Sequence, residues 1–441
     1  MSEKRYYITD FGAAEGTESN TIAIQKAIDA AYKNGGGEVV VPAGVFVTGA
    51  LFLKDNLSLH LAPGAVLKFS DDQKDYPVVV SRWEGVQQKV YASCIYAENA
   101  ENISVTGFGI LDGSGSLWWD LFRNNRKDLA YPRPKLISFH QCRRITIRDI
   151  QLVNSPSWTV NPILCEDVTI DNLSILNPAD SPNTDGIDPD SCKNVHISNC
   201  HIDVGDDCIA IKAGTEETAE RISCENITII NCTMVHGHGG VVLGSEMSGD
   251  IRNVTISNCV FQGTDRGIRL KSRRGRGGIV EDIRISNIVM KDVVCPFIIN
   301  LYYYWGPKGE QKLVWTKEPQ PVTKATPCFR RIHFMNITAE NVQAAAGFIY
   351  GLAEQYAEGI TFDNVRISMA EEAVEGEPAM MMGMKKMKNQ GFLIQFAENV
   401  LFERVTIENH EGSAFQILES KEIELCHCRS KKLGETIFQA V

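Results

Sequence analysis

The sequence predicts an all-β fold: a single domain over residues 1–441, wound as a parallel β-helix with a capping helix near its start. Three observations predict it. A short apolar phrase recurs through most of the chain, an Asn recurs at one place inside it, and polar insertions break the rhythm. The phrases ISVTGFGI, ITIRDIQL, VTIDNLSI, VHISNCHI, ITIINCTM, VTISNCVF, IRISNIVM, IHFMNITA, ITFDNVRI, VLFERVTI and IELCHC start at 103, 145, 168, 195, 227, 254, 283, 332, 360, 400 and 423. Spacings of 23 (145 to 168) and 27 (168 to 195, 227 to 254) bracket one coil, and 49 (283 to 332) is a coil plus an inserted loop. Alternating β-branched residues followed by a bend, at a period in the twenties, mark a solenoid of parallel strands. The fifth residue of most phrases is Asn: Asn172, Asn199, Asn231, Asn258, Asn287, Asn336 and Asn364. Asn tolerates the left-handed backbone of a tight bend and can ladder with an Asn one coil away. The L-x-x-L-x-L frame of a leucine-rich stack is absent.

Taken in order, residues 18–34 give a helical pattern. Ile22, Ile24, Ala27, Ile28 and Ala31 recur at helical spacing, after the cap-type residues Ser19 and Asn20 and before Gly35-Gly36-Gly37. Short strands follow, EVVVPAG, VFVTGALFL and LSLHLAPGAVLKF, so residues 1–65 read as the N-terminal cap region. A solenoid end left open is a sticky edge, which a helix can cover. Regular coils are expected over 100–430. They are interrupted near 112–134 (with Trp118 and Trp119), 305–328 (rich in Lys, Pro and Gly) and 369–391 (Met-rich and acidic). Long loops on a regular scaffold usually build a binding face or an interface.

Length alone would suggest about three domains, but a repeat grows without new cores. The formal charge of −11 disfavours nucleic acid or an anionic membrane as partner. The opening MSEKRYYITDFGAA has no apolar core of a signal peptide, and no run of 18 apolar residues offers a membrane span. Thirteen scattered cysteines then read as reduced, mostly buried thiols of a cytoplasmic protein. Cys426-His427-Cys428 lacks the second ligand pair that zinc would need.

Four polar signatures sit just downstream of successive phrases: Asn183-Thr184-Asp185, Gly205-Asp206-Asp207, Gly237-His238-Gly239 and Arg269-Leu270-Lys271. Asp206 lies 11 residues after Val195 and His238 lies 11 after Ile227, so the two hold equivalent places on neighbouring coils. Asp185 precedes Asp206 by 21 residues, again about one coil. The spacing stacks three carboxylates and a histidine on one face. Two chemistries remain open for such a cluster. One is acid–base hydrolysis of a glycosidic bond, where like-charge repulsion keeps a proton on one carboxyl. The other is a Ca²⁺ site of hard oxygen ligands.

Downstream, Arg269 and Lys271 share one strand face and suit capture of a carboxylated sugar. Arg273, Arg274 and Arg276 read as a solvated loop. Glycines beside His238 allow close approach to a ligand. Trp118 and Trp119 either stack on sugar rings or seal their loop. In NLYYYWG, one or two alternating tyrosines can reach the site. The methionines of 380–387 read as a flexible loop or contact surface.

The four signatures, in order and spacing, resemble those of glycoside hydrolase family 28, the polygalacturonases. ITDFGAAEGTESNTIAIQKAID and GGGEVVVPAGVFVTG resemble that family's N-terminal cap, so the resemblance covers nearly the whole chain; Leu270 replaces the usual Ile. NTDGIDPDSCKNV, GDDCIAIKAG, GHGGVVLGSEMSG and RGIRLKSRRGRGG resemble the bacterial exo-acting members more than the secreted endo-enzymes. The resemblance implies a right-handed parallel β-helix and hydrolysis with inversion at the anomeric carbon. It implies Asp206 as general acid, Asp185 and Asp207 as activators of water, and His238 as support for the acid and substrate. Arg269 and Lys271 would bind the galacturonate carboxylate, and Tyr303 would be the subsite tyrosine. An inverting pair of carboxyls would stand ~6.5–9.5 Å apart, leaving room for water. No metal or cofactor is called for. The expected partner is a galacturonate-containing oligosaccharide imported into the cytoplasm and cut from its non-reducing end, with the late loops open to homo-oligomer formation. Competing readings are hydrolysis of rhamnogalacturonan or xylogalacturonan, Ca²⁺-dependent elimination of pectate, and glycan binding without chemistry.

Overall fold

The computed structural model describes residues 4–306 and 308–441. It is a right-handed parallel β-helix whose contacts divide it into two compact units, 1–207 and 208–441.

In the first unit, parallel strands repeat on three faces, and each face contributes an apolar ladder to the interior. Leu59, Val105, Ile147, Ile170 and Ile197 stand in register on the first. Leu51, Ile95, Ile137, Val160 and Ile187 do so on the second. Leu67, Leu111, Leu152, Ile175 and Ile202 form the third. All fifteen are fully buried. Burying such a side chain is worth about 1.5–3 kcal/mol, so a phrase that slipped by one residue would lose several of these at once. Parallel pairing starts before the recurring phrases: Arg5–Tyr7 pairs with Gly37–Val41, which pairs with Leu57–Leu61.

Helix α1 (Thr21–Lys33) lies against these first strands through Ile24, Ala27, Ile28 and Ala31, all fully buried. Ile22, expected on the same face, is 73% exposed. Asn20 precedes the helix without capping it. Its side chain accepts from Ala14 N–H (2.8 Å) and donates to Val47 O (3.3 Å), tying the incoming loop to a strand. A second helix, α2 (Ser116–Asn124), occupies the first insertion. Trp118 is completely buried there, edge-on to Tyr76 and Tyr91 at 5.4 and 5.8 Å, so it seals the insertion and has no face for a sugar. Trp119 remains partly exposed and donates to Ser155 O at 2.9 Å.

The second unit repeats the plan with larger residues. Ile229, Ile256, Ile285, Phe334, Phe362 and Phe402 stand in register. Phe334 stacks on Phe362 at 4.5 Å and Phe362 on Phe402 at 5.0 Å, within 7° of parallel. The recurrent Asn residues all take a left-handed backbone, φ 53–58°. Asn364, Asn336, Asn287 and Asn258 ladder through side-chain amides at 2.8, 3.3 and 3.1 Å. None of the 13 cysteines forms a disulfide, and only Cys426 is more than slightly exposed.

Candidate active site

Asp185 ends a loop that leaves the strand Ser174–Leu176, and Asp206-Asp207 follows the strand His201–Val204. Thr184, between Asn183 and Asp185, is fully buried. Its hydroxyl accepts from Gly205 N–H (3.2 Å) and lies 2.5 Å from Ser181 Oγ, which ties one carboxylate-bearing turn to the next. A Cβ on Gly205 would stand 2.3 Å from Ser181 O, so only glycine lets the two turns approach this closely. Backbone bonds complete the register: Thr159 N–H to Asp185 O (2.8 Å) and Gly186 N–H to Asp207 O (3.0 Å).

This gathers the three carboxylates as the sequence predicts. One oxygen from each of Asp185, Asp206 and Asp207 lies within 4.8 Å of the other two. Asp185 and Asp207 are buried and Asp206 is half-exposed. Asp206 Oδ1 accepts from Asp207 N–H at 2.9 Å. The nearest oxygens are closer than the ~6.5–9.5 Å expected of an inverting pair. Two of the acids are chain neighbours and the third is pinned one coil away, so the backbone sets a tighter spacing.

In the second unit, Arg269 and Lys271 point to the same side of the strand Arg266–Lys271, both nearly buried. Tyr303 joins them: its ring centroid lies 5.6 Å from Arg269 Cζ and 5.2 Å from Lys271 Nζ. Tyr303 N–H donates to Ser272 O at 3.0 Å, and Tyr302 beside it is turned into the interior. Alternation therefore selects one tyrosine of the three for this face. His238 lies in the glycine-flanked turn between Thr233–His236 and Val241–Gly244 with its side chain exposed. Gly240 in that turn is fixed by packing, since a Cβ would stand 2.8 Å from the Phe261 ring.

Sequence reasoning mistook or missed several neighbours. Arg273, Arg274 and Arg276 are not solvated; they are at most 5% exposed. Glu216 bridges Arg273 (3.0 Å) and Arg276 (2.6 Å), and Glu354 takes Arg274 in a fork at 2.6 and 2.8 Å. Burial by itself would raise the Glu216 carboxyl, but Arg276 and Arg273 bring it down to about 2. Most of the methionines are packed as well, Met382 alone of the run staying exposed. Ala379, Met381, Met384 and Met387 cover Ile298, Phe348 and Leu393 on the sheet beyond Arg269. Met380 Sδ lies 2.9 Å from Arg269 Nη2, its carbonyl accepts from Asn300 Nδ2 (3.1 Å), and Met381 bridges Tyr303. No motif marked these partners, because they come from insertions that follow no repeat. Arg133, from the first insertion, was missed for the same reason; it donates to Asn183 Oδ1 at 2.8 Å.

Comparison with known proteins places these residues in context. The model of the family "Glycosyl hydrolases family 28" matches residues 38–379. The chain is 36% identical over 379 residues to a probable polygalacturonase of Vitis vinifera, covering 83% of this chain and 74% of that protein. It is 34% identical over 300 residues to an endo-polygalacturonase of Pectobacterium carotovorum, covering 64% and 72%. Among solved structures, a hyperthermoactive exopolygalacturonase from Thermotoga maritima superposes with TM-score 0.75 at 30% identity, over 91% of this chain and 92% of that one.

Proposed function

Because the chain belongs to glycosyl hydrolase family 28, we propose that it is a polygalacturonase that hydrolyses α-1,4-galacturonosidic bonds with inversion, releasing galacturonic acid from chain ends. The observation that carries hydrolysis is the cluster of Asp185, Asp206 and Asp207 within 4.8 Å; inversion is what the family resemblance implies, and this spacing does not carry it. Three acids this close cannot all ionise easily, so one stays protonated while another is a base. Asp206, the most exposed of the three, suits the acid that must reach the leaving oxygen. Asp185 and Asp207 activate the attacking water. His238 supports the acid and substrate. Arg269 and Lys271 hold the substrate carboxylate, with Tyr303 against the sugar.

The exo part of this reading draws on the Met-rich insertion, which lies over the sheet directly beyond Arg269 and leaves a sugar chain no apolar floor there. Relatives carry both actions in their names, so the covered floor is what favours release of monomer. A reducing compartment such as the cytoplasm fits thirteen cysteines without a disulfide.

Asp206→Asn tests the assignment. Its kcat on polygalacturonate should be at least about a hundredfold lower, the lower end for loss of a general acid. Near-wild-type release of reducing ends by this variant would sink it. Chelator should leave the wild-type rate unchanged and no unsaturated product should absorb in the ultraviolet; the opposite pair of results would mean Ca²⁺-dependent elimination.

A further inference from the structure

Arg133 stands at the end of the first insertion, outside every signature, and is one of the largest fully enclosed side chains in the molecule at 2% exposure. Its Nη1 donates to Pro156 O (2.8 Å) and Pro182 O (2.9 Å), and its Nη2 to Asn183 Oδ1 (2.8 Å). The Phe122 ring from α2 lies 4.0 Å from its Cζ and closes over the guanidinium. The planar fork thus grips two consecutive residues of the turn that leads to Asp185 while anchoring them to the preceding coil. Asn183 holds φ 53°, a conformation that a side-chain partner helps to keep.

Charge acts in the same place. Burial brings the guanidinium down to about 9; Arg126 and Arg123 push the same way, while Glu84 and Asp185 oppose them. It remains a cation at neutral pH, in a setting where water screens it little. Attraction between Arg133 and Asp185 is mutual, so the cation favours the ionised form of that carboxylate.

We propose that Arg133 is a positioning residue of the hydrolytic site: it fixes the Asn183–Asp185 turn and keeps Asp185 in the carboxylate form that activates water. The inference rests on Asp185 being a base in the reaction proposed above. With Asp206 and Asp207 within 4.8 Å, fixing this turn also fixes where Asp185 stands against the acid that must donate the proton. The first insertion then has a task beyond covering the coil: α2 supplies the aromatic lid that keeps the cation dry.

Two variants of the full chain, assayed on trigalacturonate across pH, test this. Arg133→Met keeps the bulk without charge, and Arg133→Lys keeps charge without the fork. For Arg133→Met we expect kcat to fall at least about tenfold with KM within about threefold, as for a misplaced catalytic group that leaves binding intact. The acid limb of its kcat/KM profile should move to higher pH by about one unit, since removing a cation beside a carboxylate makes it easier to protonate. Arg133→Lys should keep the wild-type acid limb while kcat still falls. A folded Arg133→Met with the wild-type acid limb overturns the proposal. So does Arg133→Lys with wild-type kcat, or with its acid limb shifted, and either result stands even where Arg133→Met fails to fold. Failure of the underlying reading looks different: the wild-type chain would not hydrolyse galacturonan, or Asp185→Asn would retain its activity.

Discussion

At the scale of single residues, the site depends on groups that do no chemistry. Thr184 and Gly205 set the distance between two acidic turns, one through a buried hydroxyl and the other through a missing Cβ. Asp206 and His238 were legible in the sequence because each sits beside a glycine, Gly205 and Gly237, whose backbone place suits few other residues. What the sequence could not show was the partner of each group. Arg269 is held between the Tyr303 ring and the Met380 sulfur. A thioether is a weak acceptor, and a substrate carboxylate in its place would make a charge-assisted hydrogen bond to the guanidinium. Replacing Arg269 by Met should therefore raise KM for oligogalacturonides by about 10- to 100-fold, the worth of one charge-assisted hydrogen bond, with a smaller change in kcat. Steady-state kinetics on trigalacturonate would check it. An unchanged KM would remove Arg269 from the substrate contacts.

At the scale of elements, the insertions decide what the repeat cannot. The segment 377–381 is laced to the sheet by Arg266, which donates to Glu377 O (2.8 Å) and Pro378 O (3.4 Å), by Asn300, and by Lys317 Nζ near Met381 Sδ at 3.4 Å. Cutting this lacing with Arg266→Met should let saturated oligomers appear beside monomer among the early products. A pure-monomer pattern from a folded variant would show that this segment does not set the product. The Glu216 bridge makes a separate prediction about stability. Its folded-state carboxyl titrates at about 2, below the ordinary 4.5. The stabilisation is therefore fully present above pH 4.5 and is lost as pH falls through 2, amounting to about 3 kcal/mol. Glu216→Gln should lower Tm at pH 7, and the gap to wild type should close toward pH 2. A gap independent of pH would mean that shape, not charge, is what Glu216 contributes.

At the scale of the whole molecule, the fold was legible because a parallel β-helix repeats its physics. Each coil needs the same apolar inward residues and the same left-handed bend, so Asn172, Asn199, Asn231 and their successors announce the period and all hold φ near 55°. Composition was a poorer guide wherever a residue's partner lies on a distant insertion. Arg273, Arg274 and Arg276 look solvated in sequence and are buried ion pairs in the structure, because Glu216 and Glu354 arrive from elsewhere in the chain. Ile22 reads as part of a helical stripe and is exposed, because two residues before Ile24 it falls on the opposite side of α1. The Met-rich run looks loose in sequence and packs as an apolar cover. The hydrolase proposed above joins these scales: its carboxylate cluster would do the chemistry, its cations would hold a sugar acid, and its Met-rich insertion would limit the product to monomer. Mass analysis of the earliest products from polygalacturonate, with chelator present, tests it most directly. Saturated galacturonic acid alone from the first time point is the predicted result; a ladder of saturated oligomers, an unsaturated product, or no cleavage would contradict it.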